Sequence, residues 1–143
     1  WGWRSGWRNC NNMPIAVYEC SVMRMGMEFV TIYECLCDRT RLRMLNLLIK
    51  GPLCVCHFQT LLDEPQVKIS KHLAYLRKRG MVQAVREGNW MIYRLPDERS
   101  PELGKNLRCL QDCAQESKVF QQDLARLKRS AKAMAASSPC GCA

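Results

Sequence analysis

The sequence predicts a mainly α-helical domain that contains a single β-hairpin, and three observations support this fold class. Apolar residues recur at spacings of three and four over most of the chain, as they do in amphipathic helices. Between residues 81 and 95 that period stops, and two apolar runs flank Gly88-Asn89, a pair typical of hairpin turns. The 143 residues are 48% hydrophobic, which is enough for one globular domain with its own core.

The first two helices are predicted on either side of Asp38. Residues 25–37 form the first, because their apolar residues follow the helical period. Asp38 is a suitable N-cap for the second, over residues 39–50, and Gly51-Pro52 is a strong stop after it. The residues of the second helix that are expected to face the core are Leu42, Leu45, Leu48 and Ile49.

A short third helix is predicted over residues 53–62 and a fourth over residues 66–79. Asp63-Glu64-Pro65 separates the two, with the proline at a first-turn position. Gly80 is the expected C-cap of the fourth helix. The residues expected to face the core from this helix are Val67, Ile69, Leu73 and Leu76.

The hairpin strands are predicted over residues 81–86 and 90–95, and the helical period returns from about Ser100 to Leu127. Four helices, a hairpin and a last helix is the element order of a winged helix-turn-helix. We therefore expect three regions: an irregular arm or an added leader sequence over residues 1–24, the winged helix-turn-helix domain with its C-terminal dimerisation helix over 25–134, and a flexible cysteine-containing tail over 135–143.

The positive charge of the chain concentrates on the fourth helix and the hairpin. Of the net charge of +9, residues 65–94 carry +6, from seven Lys or Arg side chains and one acid. Phosphate neutralisation needs such a patch, and short polar side chains at the start of a helix are typical of major-groove readers. The alternative is a solvated basic face on an ordinary small domain. The candidate DNA-binding residues are Gln66, Lys68, Ser70, Lys71, His72, Arg77, Arg86 and Asn89.

Ten cysteines are the most unusual feature of the composition. Most of them come in close pairs, which suits shared ligation of a soft ion, and a chain of this length can fold without disulfides. We therefore expect a reduced, cytoplasmic protein rather than a secreted disulfide scaffold. No run of about 18 apolar residues occurs, so no membrane-spanning helix is expected. The close pairs are Cys35/Cys37, Cys54/Cys56, Cys109/Cys113 and Cys140/Cys142.

Four segments follow one another with characteristic spacing: Asp38-Arg39-Thr40-Arg41-Leu42-Arg43-Met44-Leu45, Leu53-Cys54-Val55-Cys56, Val67-Lys68-Ile69-Ser70-Lys71-His72-Leu73, and Arg86-Glu87-Gly88-Asn89-Trp90-Met91-Ile92-Tyr93-Arg94. Over about residues 27–112 they resemble the ArsR family of metalloregulatory repressors, and most of all its arsenical-responsive members. The resemblance implies a homodimer paired through its first and last helices, with the fourth helix reading double-stranded operator DNA and the hairpin as the wing. It also implies release from the operator when trivalent arsenic, As(III), binds as arsenite or a related arsenical; Sb(III), Cd(II) and Pb(II) are the other inducers it allows.

The sequence departs from the family pattern at three places. Arg39 stands where the family usually has proline. The arsenic motif, often Cys-Val-Cys-Asp-Leu-Cys, here reads Cys54-Val55-Cys56-His57-Phe58-Gln59 and lacks its third cysteine. Relatives that sense zinc at the last helix use histidine there, but no histidine follows His72, so that site is not expected.

Cys54 and Cys56 are the first candidate arsenic ligands. As(III) is soft and takes about three thiolates, and the start of a helix favours the thiolate form. In a helix, side chains two residues apart point about 200° apart, whereas in an extended chain they share a side. The two thiols can therefore hold one ion only if the start of the third helix is non-helical or becomes so. This predicts a switch in which the inducer unwinds that turn and displaces the fourth helix.

The remaining ligand is open at this point. Cys109 and Cys113 share one helix face at i and i+4, and are equally compatible with ligation and with burial in the dimer seam. Cys140 and Cys142 lie in the tail, which is long enough to bring them to the Cys54 pair. The alternative is that these two thiols bind no ion.

Three other functions compete with an arsenic-responsive repressor. The main one is a cadmium- or lead-type sensor. In relatives of that type, thiols of an N-terminal arm join a four-thiolate site, and Cys10 and Cys20 are the arm thiols of this chain. A repressor switched by thiol oxidation is the second. A thiol enzyme or a metal buffer is disfavoured, since the chain has no Cys-x-x-Cys, no Ser/His/Asp set and no Gly-rich phosphate loop. His57 is expected beside the site rather than in it, and Cys35 and Cys37 in the core or at an interface.

Overall fold

The structure is a computed structural model that describes residues 28–134, with side chains through residue 131. It confirms a mainly helical fold with a β-hairpin wing. Its elements are α1 over residues 28–36 of the described part, α2 (Arg39–Leu48), β1 (Leu53–Cys54), α3 (Val55–Leu62), α4 (Gln66–Lys78), β2 (Gln83–Glu87), β3 (Trp90–Arg94), α5 (Pro101–Glu116) and α6 (Lys118–Met134). The predicted arm over residues 1–24 and the predicted tail over 135–143 lie outside the described residues.

Helix α2 lies in a single hydrophobic core and packs against α4, α5 and α6, while α1 and α3 contribute further residues to the same core. Asp38 caps α2 as predicted, because its Oδ1 accepts a hydrogen bond from the Arg41 backbone N–H at 2.9 Å. The helix ends at Leu48, two residues earlier than the sequence pattern indicates. The largest fully buried residues include Phe58, Met44, Leu45, Leu47, Leu61, Ile69, Leu73 and Leu76.

One predicted core residue of α4 is placed wrongly by the sequence analysis. Val67 is 67% exposed, whereas Ile69, Leu73 and Leu76 are buried. Val67 and Ile69 are two residues apart, so their side chains point about 200° apart around the helix and cannot both face the core. The helix orients so that the longer stripe of Ile69, Leu73 and Leu76 packs inward, and Val67 is left on the outer side.

A three-stranded antiparallel sheet takes the place of the expected two-stranded hairpin. Its strand order is β1-β3-β2, with Leu53 opposite Tyr93 and Cys54 opposite Ile92. The sequence analysis assigns residues 53 and 54 to the third helix, which is wrong: Cys54 is extended, with φ −90° and ψ 169°, and α3 begins at Val55. A strand of two residues is too short to show an alternating pattern, so only its pairing with the wing reveals it.

The C-terminal region forms two helices rather than the single one expected. Ser117 is extended, with φ −91° and ψ 119°, and separates α5 from α6. No glycine or proline marks this break in the sequence, so the apolar period reads straight through it. Between residues 28 and 134, no helix is both long and apolar enough to cross a membrane.

Helix α6 folds back against α2 and α3 through two polar contacts. Asp123, 1% exposed, accepts hydrogen bonds from Arg43 Nε and Nη2 at 2.7 Å each. Arg126 Nη1 donates to the Leu61 carbonyl oxygen at 3.0 Å, near the C-terminal end of α3. The first contact ties the last helix to α2, and the second ties it to α3, the helix that carries Cys56.

Candidate DNA interface and thiol site

The outer side of α4 is a polar and basic surface with free access to solvent. Val67, Ser70, Lys71 and Ala74, spaced i, i+3, i+4 and i+7, are all exposed and form one stripe along the helix. Gln66 and Arg77 are also exposed, on one flank of this stripe. The first turn of α4 contains no acidic residue, so no carboxylate within that turn neutralises the positive end of the helix dipole.

Two of the predicted DNA-contacting residues are engaged with other side chains. Lys68 Nζ forms an ion pair with Glu64 Oε1 at 2.7 Å, one turn earlier. His72 Nδ1 lies 3.8 Å from Asp38 Oδ1, and its side chain turns from the outer stripe toward the start of α2. Burial opposes ionisation of Asp38, but the Arg41 N–H bond and the charges of His72 and Arg41 outweigh it and lower the pKa of Asp38.

Two arginine side chains that pack on the ring of Tyr75 hold the inner side of α4 in place. The guanidinium carbons of Arg41 and Arg79 lie 4.3 Å and 3.8 Å from the ring centre of Tyr75. Arg79 also pairs with Glu34 on α1 at 3.1 Å. Arg41 donates from Nε to the Cys35 carbonyl oxygen at 2.9 Å. The position of α4 therefore depends on the junction between α1 and α2.

The wing presents its two predicted residues at the tip of the hairpin. Gly88 has φ +61°, a left-handed conformation that suits glycine at this turn. Arg86 is exposed, and its Nε donates to the Gly88 carbonyl oxygen at 3.1 Å, which orders the side chain beside the turn. Asn89 is exposed next to it. Both residues are available to a ligand that contacts α4 and the wing together.

Cys54 and Cys56 lie on the two sides of the start of α3. Cys54 is the N-cap residue, 2% exposed and extended, while Cys56 is partly exposed in the first turn. The His57 ring accepts a hydrogen bond at Nδ1 from the Cys54 backbone N–H at 3.4 Å. Burial lowers the pKa of His57, which favours the neutral ring that this acceptor role requires. The structure thus puts Cys54 in the non-helical conformation that shared ligation needs.

The thiol pair has two structural routes to the basic surface. Cys54 belongs to β1, which pairs with β3 of the wing, and Cys56 belongs to α3, which packs against α4. Asp63, in a left-handed conformation with φ 56°, closes the short turn between α3 and α4. Residues 54–56 are therefore in direct structural connection with the wing through β1 and with α4 through α3.

The other described cysteines divide into one buried and three exposed residues. Cys35 is fully buried, and burial raises its pKa more than Arg79 and Arg41 lower it. Cys37, Cys109 and Cys113 are exposed, and the neighbouring Cys109 thiol raises the pKa of Cys113. In the stretch from 28 to 134, no three His, Cys, Asp or Glu side chains already come together as a metal site. The candidate ligands Cys140 and Cys142, like Cys10 and Cys20, lie outside the described residues.

Comparison with known proteins matches the region that contains the thiol pair and α4. Residues 38–84 match the model of the family described as bacterial regulatory protein, arsR family. The chain is 37% identical over 105 residues to the arsenic resistance transcriptional regulator ArsR1 of Pseudomonas putida, covering 73% of this chain and 82% of that protein. It is 45% identical over 67 residues to the arsenical resistance operon repressor of Escherichia coli, covering 46% of this chain and 57% of that one.

A solved structure shows the same fold. HlyU from Vibrio cholerae superposes with a TM-score of 0.56 at 26% identity, over 62% of this chain and 92% of that one.

Proposed function

The chain belongs to the ArsR family of bacterial regulatory proteins, and from this premise we propose that it is a homodimeric repressor that leaves its operator when As(III) binds to cysteine thiolates. The observation that carries the proposal is the position of Cys54-Val55-Cys56. This segment joins β1, which pairs with the wing, to the helix that packs against α4, so a ligand bound there acts on both candidate DNA-contacting elements.

DNA binding is supported by the exposed basic surface on α4 and the wing. Its residues fall into two roles. Lys71, Arg77 and Arg86 are exposed cations suited to phosphates, while Gln66, Ser70 and Asn89 carry side chains that hydrogen-bond to base edges. We expect α4 to enter the major groove and the wing to contact the flanking DNA.

Dimerisation is supported by an exposed apolar face on α1. Phe29, Val30 and Tyr33 are 37%, 59% and 53% exposed, and Phe29 and Tyr33 border α5 at Cys109. Large apolar side chains that cluster on a surface favour a partner that covers them. A second copy paired through α1 and the C-terminal helices would cover this face and place two α4 helices on one DNA duplex.

The proposed switch follows from the geometry of the first turn of α3. As(III) bound to both thiolates needs the Cys56 sulfur on the same side as that of Cys54. In the observed structure, Cys56 is helical and Cys54 is extended. Binding would therefore pull Cys56 out of the first turn and disturb the bond between His57 and the Cys54 N–H. A coupling free energy of about 1–3 kcal/mol between inducer and DNA is typical of such a link.

The C-terminal tail is our preferred source of the third thiolate. Arg126 is anchored to Leu61, which lies about 11 Å along α3 from Cys54. Beyond Met134, the six residues to Cys140 extend by up to about 21 Å. We therefore propose that the tail of the same subunit, rather than Cys109 or Cys113 on α5, supplies Cys140 or Cys142 to the Cys54 pair.

The test is fluorescence anisotropy of reduced protein on its upstream DNA, titrated with arsenite and then with cadmium. We expect release by arsenite at about one equivalent per subunit. Cys54→Ser and Cys56→Ser should bind DNA normally and resist arsenite, while Cys37→Ser, an exposed cysteine away from the motif, should behave like the wild type. Truncation after Ser138 should weaken the response if the tail supplies a ligand.

Each other outcome has a defined meaning. Release by cadmium alone would replace the proposal with a cadmium- or lead-type sensor. Normal arsenite release by both serine variants would move the inducer site away from Cys54 and Cys56. Absence of DNA binding at low salt would refute the repressor function itself, because phosphate contacts should dominate affinity there.

A further inference from the structure

We propose that Val67 determines part of the operator specificity by packing against a thymine C5-methyl group in the major groove. The inference rests on the proposed function, because it requires α4 to enter that groove. It assigns a base-reading role to a residue whose apolar side chain points away from the protein core.

Val67 is conspicuous because an apolar side chain stands alone on a polar surface. At 67%, it is the most exposed of the large hydrophobic residues in the described part of the chain. The others lie on α1, where they form the candidate dimer face, or on the wing strands. Val67 is neither a member of the hydrophobic core nor one of the partly buried hydrophobic residues packed against it, so core packing does not explain its side chain.

Its neighbours on α4 place Val67 at the N-terminal end of the outer stripe. Ser70, Lys71 and Ala74 follow it at i+3, i+4 and i+7, and all are exposed. The small Ala74 side chain leaves room for the helix to approach a groove closely. Lys71 supplies a phosphate contact, and the uncapped helix N-terminus adds a favourable dipole.

The chemistry of the major groove selects the matching base. Among the four bases, only thymine offers an apolar group there, its C5-methyl. Gln66, the preceding residue, has the amide that pairs with the N6 and N7 edge of adenine. The two residues together therefore favour A·T pairs opposite the start of α4. Gln66 recognises the adenine edge, and Val67 contributes only through its contact with the thymine methyl group.

The experiment removes that methyl group without changing base pairing. The operator is first selected from random duplex DNA with the reduced wild-type protein. Each thymine of the selected site is then replaced singly by uracil, which lacks only the C5-methyl, and affinity is measured by anisotropy for the wild type and Val67→Ala. Val85→Ala, a partly exposed valine on the wing strand β2, is the matched control.

We expect one thymine in each half-site at which uracil weakens wild-type binding about fourfold, the effect of one buried methyl group. At the same position Val67→Ala should discriminate thymine from uracil less than the wild type does, because alanine leaves a smaller apolar contact, whereas Val85→Ala should keep the wild-type penalty. Val67→Ala should fold normally, because it removes no core contact and alanine favours the helix.

Two results would overturn the inference, and they are distinguishable. If a site is selected but uracil penalties are the same in the wild type and Val67→Ala, Val67 reads no methyl group and the proposed function stands. If no sequence is enriched over the random pool, specific DNA binding fails and the inference fails with it.

Discussion

Removing the Asp123 carboxylate should be among the most destabilising single changes in this domain. Both of its oxygens bind Arg43 at 2.7 Å, and the side chains of Asp123 and Arg43 are 2% and 15% exposed. Breaking a buried ion pair costs about 3–5 kcal/mol, because the remaining charge loses its partner. The small exposure of Arg43 lets water reach it in part, so we expect the lower end, about 3 kcal/mol, for Asp123→Ala.

Urea unfolding followed by circular dichroism at one protein concentration measures this loss, since a dimer's stability depends on concentration. The melting temperature should fall by about 12 °C, at roughly 4 °C per kcal/mol for a domain of this size. Asp112→Ala, which removes an exposed carboxylate on α5, should stay within about 0.5 kcal/mol of the wild type.

A double variant separates the charge effect from lost packing. Arg43→Met with Asp123→Leu removes both charges and fills the space, and should recover most of the stability that Asp123→Ala loses. A cost below about 0.5 kcal/mol for Asp123→Ala would refute the reasoning that this pair anchors α6. A double variant as unstable as the single one would show that packing, and not an unpaired charge, is responsible.

Replacing Tyr75 with Leu should destabilise the domain by about 1 kcal/mol, because the ring faces on which Arg41 and Arg79 stack are lost. Tyr75→Phe keeps the ring and should be close to neutral. Urea unfolding measures both variants, and equal losses of stability would show that the hydroxyl group is responsible instead. Gly80→Ala should lower the free energy of unfolding by about 1 kcal/mol, because Gly80 has φ +71°, a left-handed conformation that strains an alanine even where its Cβ meets open space. Thermal unfolding measures this loss, and an unchanged melting temperature would contradict it. Asp38 has a pKa lowered in the folded state, so the stability its charge contributes is present above about pH 4 and is lost as the pH falls through the folded-state pKa. The stability difference between wild type and Asp38→Asn should therefore shrink between pH 6 and pH 3, and a difference independent of pH would assign the cap to geometry alone.

Much of the fold follows from local patterns that act over a few residues. The apolar period, the Asp38 cap, the glycine at position 80 and the Gly88-Asn89 turn each depend on neighbours in sequence. Such features are readable because backbone sterics and capping chemistry are local. The concentration of positive charge over residues 65–94 is likewise a property of composition.

The errors occur where a residue's environment depends on distant parts of the chain. Val67 satisfies an apolar pattern yet faces solvent, because the rotation of α4 is set by packing on α2 and α3. Residues 53 and 54 have too few neighbours to show their strand, which exists only because β3 pairs with it. The break at Ser117 depends on α6 folding back through Asp123.

The sequence by itself determined the order of the first four helices and the hairpin, the basic character of α4 and the wing, and the pair of cysteines beside them, since these need only local spacing and charge. Tertiary structure alone decided which side of α4 meets solvent, which of its polar residues are engaged within the protein, and that Cys54 sits in a strand of the wing sheet. The physical reason is that burial and strand pairing depend on contacts between residues that are distant in sequence. A local pattern therefore does not determine which of two compatible faces the packed core covers.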